Sequence, residues 1–442
     1  MDTKVDSLGE CKIHSPLEHV DWVGDGNRIL YDVSAESIEE CYKRGEIPVS
    51  FLKAGPRNKV YFDLSKLKCA IVTCGGLCPG LNNVIRSIVL TLYHTYGVSN
   101  ILGIRYGFQG FIPKYGHSVL ELNPNTVSQI NELGGTILSS SRGHQEIGEI
   151  VDALERMNIG LLFIIGGDGS FKAGARICEE ISTRRAKIGV VGIPKTIDND
   201  ILFLSRSFGF STAVSCASDI IGCAHVEANG APNGIGLVKL MGRHSGFIAA
   251  SAALDRRYAN FVLIPESDFD MEGPHGFLSV LEERIRGKKH AVIVVAEGAG
   301  QRYCGVEGFD SSGNKSLGDI GVFLRDKIKE HFQTKGLELN LKYIDPSYTI
   351  RSVPATSEDS VFCGFLGQNA VHVGLAGKTN FMVGSWNEQF VCVPFNLVTT
   401  GRKQVGLNSK LWNSVVEATG QPSFKPPDMS KRGHRKGKSG PS

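Results

Sequence analysis

Two aspartates stand two residues apart, behind a lysine, in Pro194-Lys195-Thr196-Ile197-Asp198-Asn199-Asp200. A carboxylate beside a hydroxyl can take its proton and turn a poor nucleophile into a competent one. A nearby lysine such as Lys195 can offset negative charge on a group in transfer. The apolar run Val190-Val191 leads into this stretch. That lead-in places the acids in a loop after a buried strand and speaks against a solvated acidic turn.

Gly166-Gly167-Asp168-Gly169-Ser170 joins the apolar run Leu161-Leu162-Phe163-Ile164-Ile165 to a helical pattern over Ala173 to Ile181. Glycine strips bulk from the backbone, and a carboxylate beside a phosphate cradle can hold magnesium. Asp168 is therefore the metal candidate, with Gly167, Gly169 and Ser170 as nucleotide contacts. The competing reading of Asp168 is an N-cap for the helix that follows. A second glycine loop, Gly75-Gly76-Leu77-Cys78-Pro79-Gly80-Leu81-Asn82, lies between Cys69–Thr73 and the helical stretch Asn83–Leu90. The helix start offers phosphate its unpaired N–H groups and positive dipole end. The loop is neither Gly-x-Gly-x-x-Gly nor a Walker loop, and a plain strand-to-helix turn explains it equally well. Met241-Gly242-Arg243, Glu297-Gly298 and Tyr343 to Arg351 follow further strands. Arginine and lysine recurring at one sheet edge can bind a sugar phosphate, arginine by a bidentate fork.

These segments need a scaffold that brings strand ends together. Short apolar runs alternate with helical patterns: 69–73, 161–165, 188–192, 236–240, 261–264 and 291–296, with helices over Leu278 to Arg286 and Asp319 to Phe332. Near-continuous apolar runs mark strands buried on both faces of a parallel sheet. Strand–helix–strand repetition predicts right-handed crossovers and two doubly wound, three-layer α/β lobes with mainly parallel sheets. Ligands in such sheets sit beyond the carboxyl ends of the strands, which is where every motif above falls.

The chain has 442 residues, 41% hydrophobic and 21% charged, with a net charge of +3. That length implies two cores, and the charge is too small to imply a nucleic-acid partner. The excess of positive charge collects in Lys431 to Lys438, read as a solvated disordered tail. Eleven cysteines, scattered through apolar segments, read as reduced thiols; Cys74 and Cys78 lack the second pair a zinc site needs. The first residues lack an apolar signal core, and no window reaches the roughly 18 apolar residues of a membrane helix. A cytosolic protein without membrane contact is the resulting expectation.

Taken in order, Gly75-Gly76…Pro79-Gly80-Leu81-Asn82, Gly166 to Ser170, Pro194 to Asp200 and Met241-Gly242-Arg243 resemble the phosphofructokinase family over about residues 68 to 395. The likeness is to its plant, protist and pyrophosphate-related branch, through Lys195 and Tyr343-Ile344-Asp345-Pro346-Ser347-Tyr348. The resemblance implies a magnesium-dependent kinase of glycolysis that phosphorylates fructose 6-phosphate. It implies Asp198 as catalytic base, with Thr196, Lys195 and Arg243 assisting. Asp168 is the metal-linked acid and Asp200 a second acid near the metal. Gly76, Arg142, Gly167, Gly169 and Ser170 belong with ATP. Met241, Gly242, Arg243, Glu297, Lys342, Tyr348 and Arg351 belong with the sugar phosphate. The implied organisation is an N-terminal extension (1–66), a nucleotide lobe (67–210 and 353–395), a sugar-phosphate lobe (211–352) and a C-terminal extension (396–442). A homo-oligomer, dimer or tetramer, is implied as well. Gly169 favours ATP over pyrophosphate, since pyrophosphate users of this branch carry Asp there and a carboxylate would repel an α-phosphate. Lys195 is shared by both kinds of donor. Gly234 stands where bacterial relatives place an arginine and Tyr348 where they place a histidine, so bacterial effector rules do not transfer.

Overall fold

The computed structural model describes residues 1–305, 308–309 and 316–425. The basic run Lys431 to Lys438 lies outside the described residues. The chain divides into two compact units: 1–217, 307–316 and 347–404 in the first, and 218–306, 317–346 and 405–442 in the second.

The first unit is built on a nine-stranded sheet. Its spatial order is Arg28–Leu30, Ser50–Lys53, Gln389–Pro394, Phe381–Trp386, Gly189–Pro194, Leu161–Gly166, Lys68–Thr73, Asn100–Ile104, Leu120–Glu121. The five strands from Phe381–Trp386 to Asn100–Ile104 run parallel, and antiparallel strands extend both ends. Leu161–Gly166 and Gly189–Pro194 are buried at every residue, as their unbroken apolar runs require. From Lys68–Thr73 the chain moves to its neighbour on one side, Asn100–Ile104, and then returns to Leu161–Gly166 on the other. This reversal is a topological switch point, and it opens a crevice beyond the carboxyl ends of Lys68–Thr73 and Leu161–Gly166. Residues 28–30 and 50–53, read as part of an extension, form sheet strands of this unit.

The second unit carries four parallel strands in the order Phe261–Leu263, His290–Ala296, Gly234–Leu240, Asn340–Ile344. Helices Phe277–Lys288 and Ile320–Thr334 contribute Leu281, Ile285, Leu324, Ile328 and Phe332 to a core shared with Ile235, Leu237, Ile293 and Val295. Both units therefore show the mainly parallel α/β architecture expected from the alternating pattern. None of the eleven cysteines, all among the described residues, forms a disulfide, and Cys69, Cys74, Cys78, Cys363 and Cys392 are buried. Among the described residues no helix is long and apolar enough to cross a membrane.

Candidate active site

The glycine loop after Lys68–Thr73 turns through Gly75 and Gly80, both at positive φ, before helix Leu81–Leu90 begins. Asn82, in the first turn of that helix, is almost wholly buried. Its amide donates to the carbonyl of Leu133 at 3.1 Å, and its oxygen accepts from the N–H of Ile137 at 2.9 Å. Asn82 thus fixes the loop that carries Arg142. That loop closes back onto the glycines: Ser140 Oγ donates to the carbonyl of Gly75 at 2.7 Å.

The result is a cavity of about 570 Å³ lined by Gly75, Gly76, Ser140, Ser141, Arg142 and Arg351, among others. A methyl group on Gly76 would stand 3.5 Å from both the Arg142 and the Arg351 guanidinium. The bare Gly134 admits the Arg351 segment, because a Cβ there would lie 1.8 Å from the carbonyl oxygen of Ser352. Arg351 also lies over the ring of the exposed Tyr348, 4.9 Å from its centroid, and its buried Nε makes no hydrogen bond. Two guanidinium groups close to one glycine repel each other, and an anion such as a phosphate placed between them would relieve that repulsion. The resemblance allots Arg142 to the nucleotide and Arg351 to the sugar phosphate; the structure brings them to the same cavity.

Helix Asp168–Thr183 begins at Asp168, earlier than the pattern over Ala173 to Ile181 suggested. Its N-cap is Gly167, in extended conformation, and no side chain caps it. The capping role weighed for Asp168 is therefore excluded. Instead Oδ2 of Asp168 pairs with Lys172 at 3.3 Å and Arg402 at 3.5 Å, while Oδ1 is buried and accepts no hydrogen bond. A hard cation is one partner that such a buried anionic oxygen could take. No group of three or more His, Cys, Asp or Glu side chains among the described residues could hold a metal. A cation at Asp168 would then take most of its ligands from outside such side chains, as magnesium does when it binds through one or two carboxylates with phosphate and water. Ser170 packs against Gly166, whose missing side chain makes room for it. Gly169 is different: its φ is ordinary, and a Cβ on it would meet nothing within 4 Å.

The acidic loop follows Gly189–Pro194. Lys195 continues the strand, its N–H donating to the carbonyl of Gly166 at 2.9 Å. Its side chain is buried, and Nζ donates to the carbonyl of Gly76 at 2.7 Å. Burial pushes its pKa down, opposed in part by the thiols of Cys78 and Cys74. Thr196 Oγ1 donates to Asp200 Oδ1 at 3.0 Å and accepts from the N–H of Asp198 at 3.1 Å. Asn199 adopts a left-handed conformation (φ 53°) and accepts from the N–H of Ser207. Asp198 is half-buried and Asp200 buried. One strand-end cluster thus holds Gly75, Gly76, Asp168, Lys195, Thr196, Asp198 and Asp200.

Two residues that sequence reasoning missed complete it. Arg402 donates to Asp200 Oδ2 at 2.8 Å while reaching Asp168. Lys403 Nζ donates to Asn199 Oδ1 at 3.0 Å and to the carbonyl of Leu204 at 2.9 Å. Its backbone N–H donates to the carbonyl of Asp200 at 2.8 Å. Burial lowers the pKa of Lys403 to about 8, against the pull of Asp200. The only signal for this pair was a Gly-Arg-Lys step soon after the strand Gln389–Pro394.

In the second unit, Met241-Gly242-Arg243 and Glu297 stand at adjacent strand ends. Leu240 is level with Ala296, the N–H of Glu297 donates to Leu240, and that of Gly298 donates to Gly242. Gly242 is required there, with φ 133° and a carbonyl 2.5 Å from where a Cβ would stand. Lys342 pairs with Gly236, four positions before Leu240, so it lies about 13 Å down the sheet from that end.

With this geometry in view, comparison with known proteins is specific. The family model described as Phosphofructokinase matches residues 68–374. A Borreliella burgdorferi protein named ATP-dependent 6-phosphofructokinase is 51% identical over 441 residues, covering 96% of this chain and 97% of that protein. One of the same name from Amycolatopsis methanolica is 45% identical over 438 residues, covering 96% and 95%. Among solved structures, a pyrophosphate-dependent phosphofructokinase from Marinobacter aquaeolei superposes with a TM-score of 0.65 at 18% identity, covering 82% of this chain and 94% of that one. At that identity the likeness concerns the fold.

Proposed function

Because the chain belongs to the phosphofructokinase family, we propose that it transfers the γ-phosphoryl group of ATP to the 1-hydroxyl of fructose 6-phosphate, forming fructose 1,6-bisphosphate and ADP in glycolysis. The observation that carries the reading is Gly169. Neither its backbone conformation nor its neighbours require glycine. A ligand that needs the space explains the missing side chain, and the α-phosphate of a nucleotide is such a ligand. The closely similar relatives named as ATP-dependent support the same donor over pyrophosphate.

In this reading Asp198 accepts the proton of the sugar hydroxyl as its oxygen bonds to phosphorus and the bond to the ADP oxygen breaks. Thr196 holds the backbone of Asp198 and the carboxylate of Asp200 in one arrangement. Lys195 ties the acidic loop to Gly76 and supplies positive charge beside the transferring group. Arg142 and Arg351 take phosphate oxygens in the cavity at Gly76, and Gly167, Gly169 and Ser170 shape the approach of the nucleotide. Magnesium fits at Asp168, where bound metal would screen the phosphate oxygens. In the second unit Met241, Gly242, Arg243 and Glu297 are assigned to sugar contacts, with Lys342 farther down the same sheet; Tyr348 of the first unit is assigned to the sugar phosphate. We further assign the protein to the cytosol and to a homo-oligomer, which light scattering would contradict by returning the monomer mass.

A coupled assay with fructose 6-phosphate and magnesium tests the reading. Turnover is expected with ATP and not with pyrophosphate; the reverse would replace the donor. Gly169→Asp is expected to fold normally and to lower kcat/KM for ATP by about tenfold or more. Unchanged ATP kinetics in that variant would remove the argument from Gly169.

A further inference from the structure

Arg402 lies beyond the stretch matched by the family model, which ends at residue 374. Its position is nevertheless fixed against the acidic loop. Phe395 anchors the preceding turn by stacking on Phe171, with ring centroids 5.3 Å apart. Lys403 then clamps the chain to Asn199, Asp200 and Leu204 through both its backbone and its side chain. The guanidinium that results stands between two largely shielded carboxylates, with side-chain exposures of 18% for Asp168 and 6% for Asp200.

The two arms are unequal. The contact to Asp200, at 2.8 Å, is a full charge-assisted hydrogen bond; that to Asp168, at 3.5 Å, is at the limit of one. Asp200 is further held by Thr196, whereas Asp168 keeps its other oxygen buried without a hydrogen bond. We propose that Arg402 is a positioning residue of the phosphoryl-transfer site: an internal cation that joins Asp168 to Asp200 in the nucleotide-free enzyme and gives up Asp168 to the entering divalent cation. The proposal rests on reading Asp168 as the metal carboxylate. Without Arg402 the acids would face each other with less neutralising charge, and their attraction for a free cation would rise. With metal on Asp168, repulsion breaks the longer arm first. The shorter arm keeps Arg402 on Asp200, and the released N–H groups can face a phosphate oxygen. The guanidinium reaches the two acids with separate nitrogens, whereas a lysine would offer its charge from a single one.

Mn²⁺ binding to the full-length, nucleotide-free protein, followed by electron paramagnetic resonance, tests this directly. Arg402→Gln is expected to bind Mn²⁺ about tenfold more tightly than the unaltered protein. Arg402→Lys, which keeps the charge, is expected to stay close to the unaltered value. Adding Asp168→Asn to Arg402→Gln should abolish the gain. In turnover, Arg402→Gln should need less metal for half-maximal rate and yet have a lower kcat, a split that simple loss of structure does not produce. Arg402→Met serves as a second neutral variant should glutamine perturb folding. Equal or weaker Mn²⁺ binding in the neutral variants, or a gain that survives Asp168→Asn, overturns the proposal. Failure of the unaltered enzyme to phosphorylate fructose 6-phosphate would overturn the functional reading instead, and the Mn²⁺ measurement is independent of it.

Discussion

Asp198 and Lys403 show how differently individual residues reveal themselves. Asp198 was legible because its loop has an uncommon composition, two acids and a lysine after a buried strand. Replacing it with asparagine keeps its size and most of its hydrogen bonding but removes the proton acceptor. Asp198→Asn is expected to lower kcat by about 10²–10⁴-fold while leaving ATP affinity within a few-fold, measured by steady-state kinetics beside calorimetric ATP binding. A matching loss of ATP affinity would mean that the residue serves the cradle. Lys403 was illegible, since nothing local distinguishes it from a surface lysine; only the fold buries it. Its pKa of about 8 lies below the ordinary lysine value, so it loses its proton inside the folded protein as pH rises through 8. The charged donor to Asn199 and Leu204 weakens in the same window. kcat is expected to fall as pH rises through about 8, and Lys403→Arg, which stays charged, should move that limb upward. An identical alkaline limb in the variant would exclude Lys403 as its origin.

The elements were legible where one physical signal dominates. Leu161–Gly166, Gly189–Pro194 and His290–Ala296 are unbroken apolar runs, and they are central parallel strands. The early start of helix Asp168–Thr183 was not legible, because Gly167 at its N-cap and Gly169 in its first turn are poor helix formers and tertiary anchoring overrides that. Helix packing also hides a pH dependence. In Ser357–Leu375, His372 Nδ1 lies 2.8 Å from the hydroxyl of Tyr96, and burial lowers its pKa to about 4. The unfolded chain takes up the proton near 6.5 and the folded one only near 4, so stability is complete above 6.5 and falls as pH drops through that window. About 2 kcal/mol should be lost between pH 7.5 and 5 from this group. Urea midpoints at the two pH values should differ less in His372→Gln; an equal difference would assign the acid sensitivity elsewhere.

At the scale of the molecule, alternation of strand and helix foretold two mainly parallel α/β units, and within each unit the motifs do follow strands. What could not be foretold is what the register and long-range closure decide. Residues 50–53 pair into the large sheet against Gln389–Pro394, hundreds of residues away, and residues 28–30 pair in turn with 50–53. Residues 402 and 403 return to the acidic loop some two hundred positions away. Lys342 sits mid-strand because its partner is Gly236 and not Leu240. None of these pairings leaves a local trace in composition. The chemistry assigned to the whole chain can be read from its product. Phosphorus NMR of fructose 6-phosphate incubated with Mg-ATP and the full-length protein should show one new phosphomonoester on carbon 1, growing in step with ADP. Release of inorganic phosphate without that ester, or ester formation only when pyrophosphate replaces ATP, would contradict it.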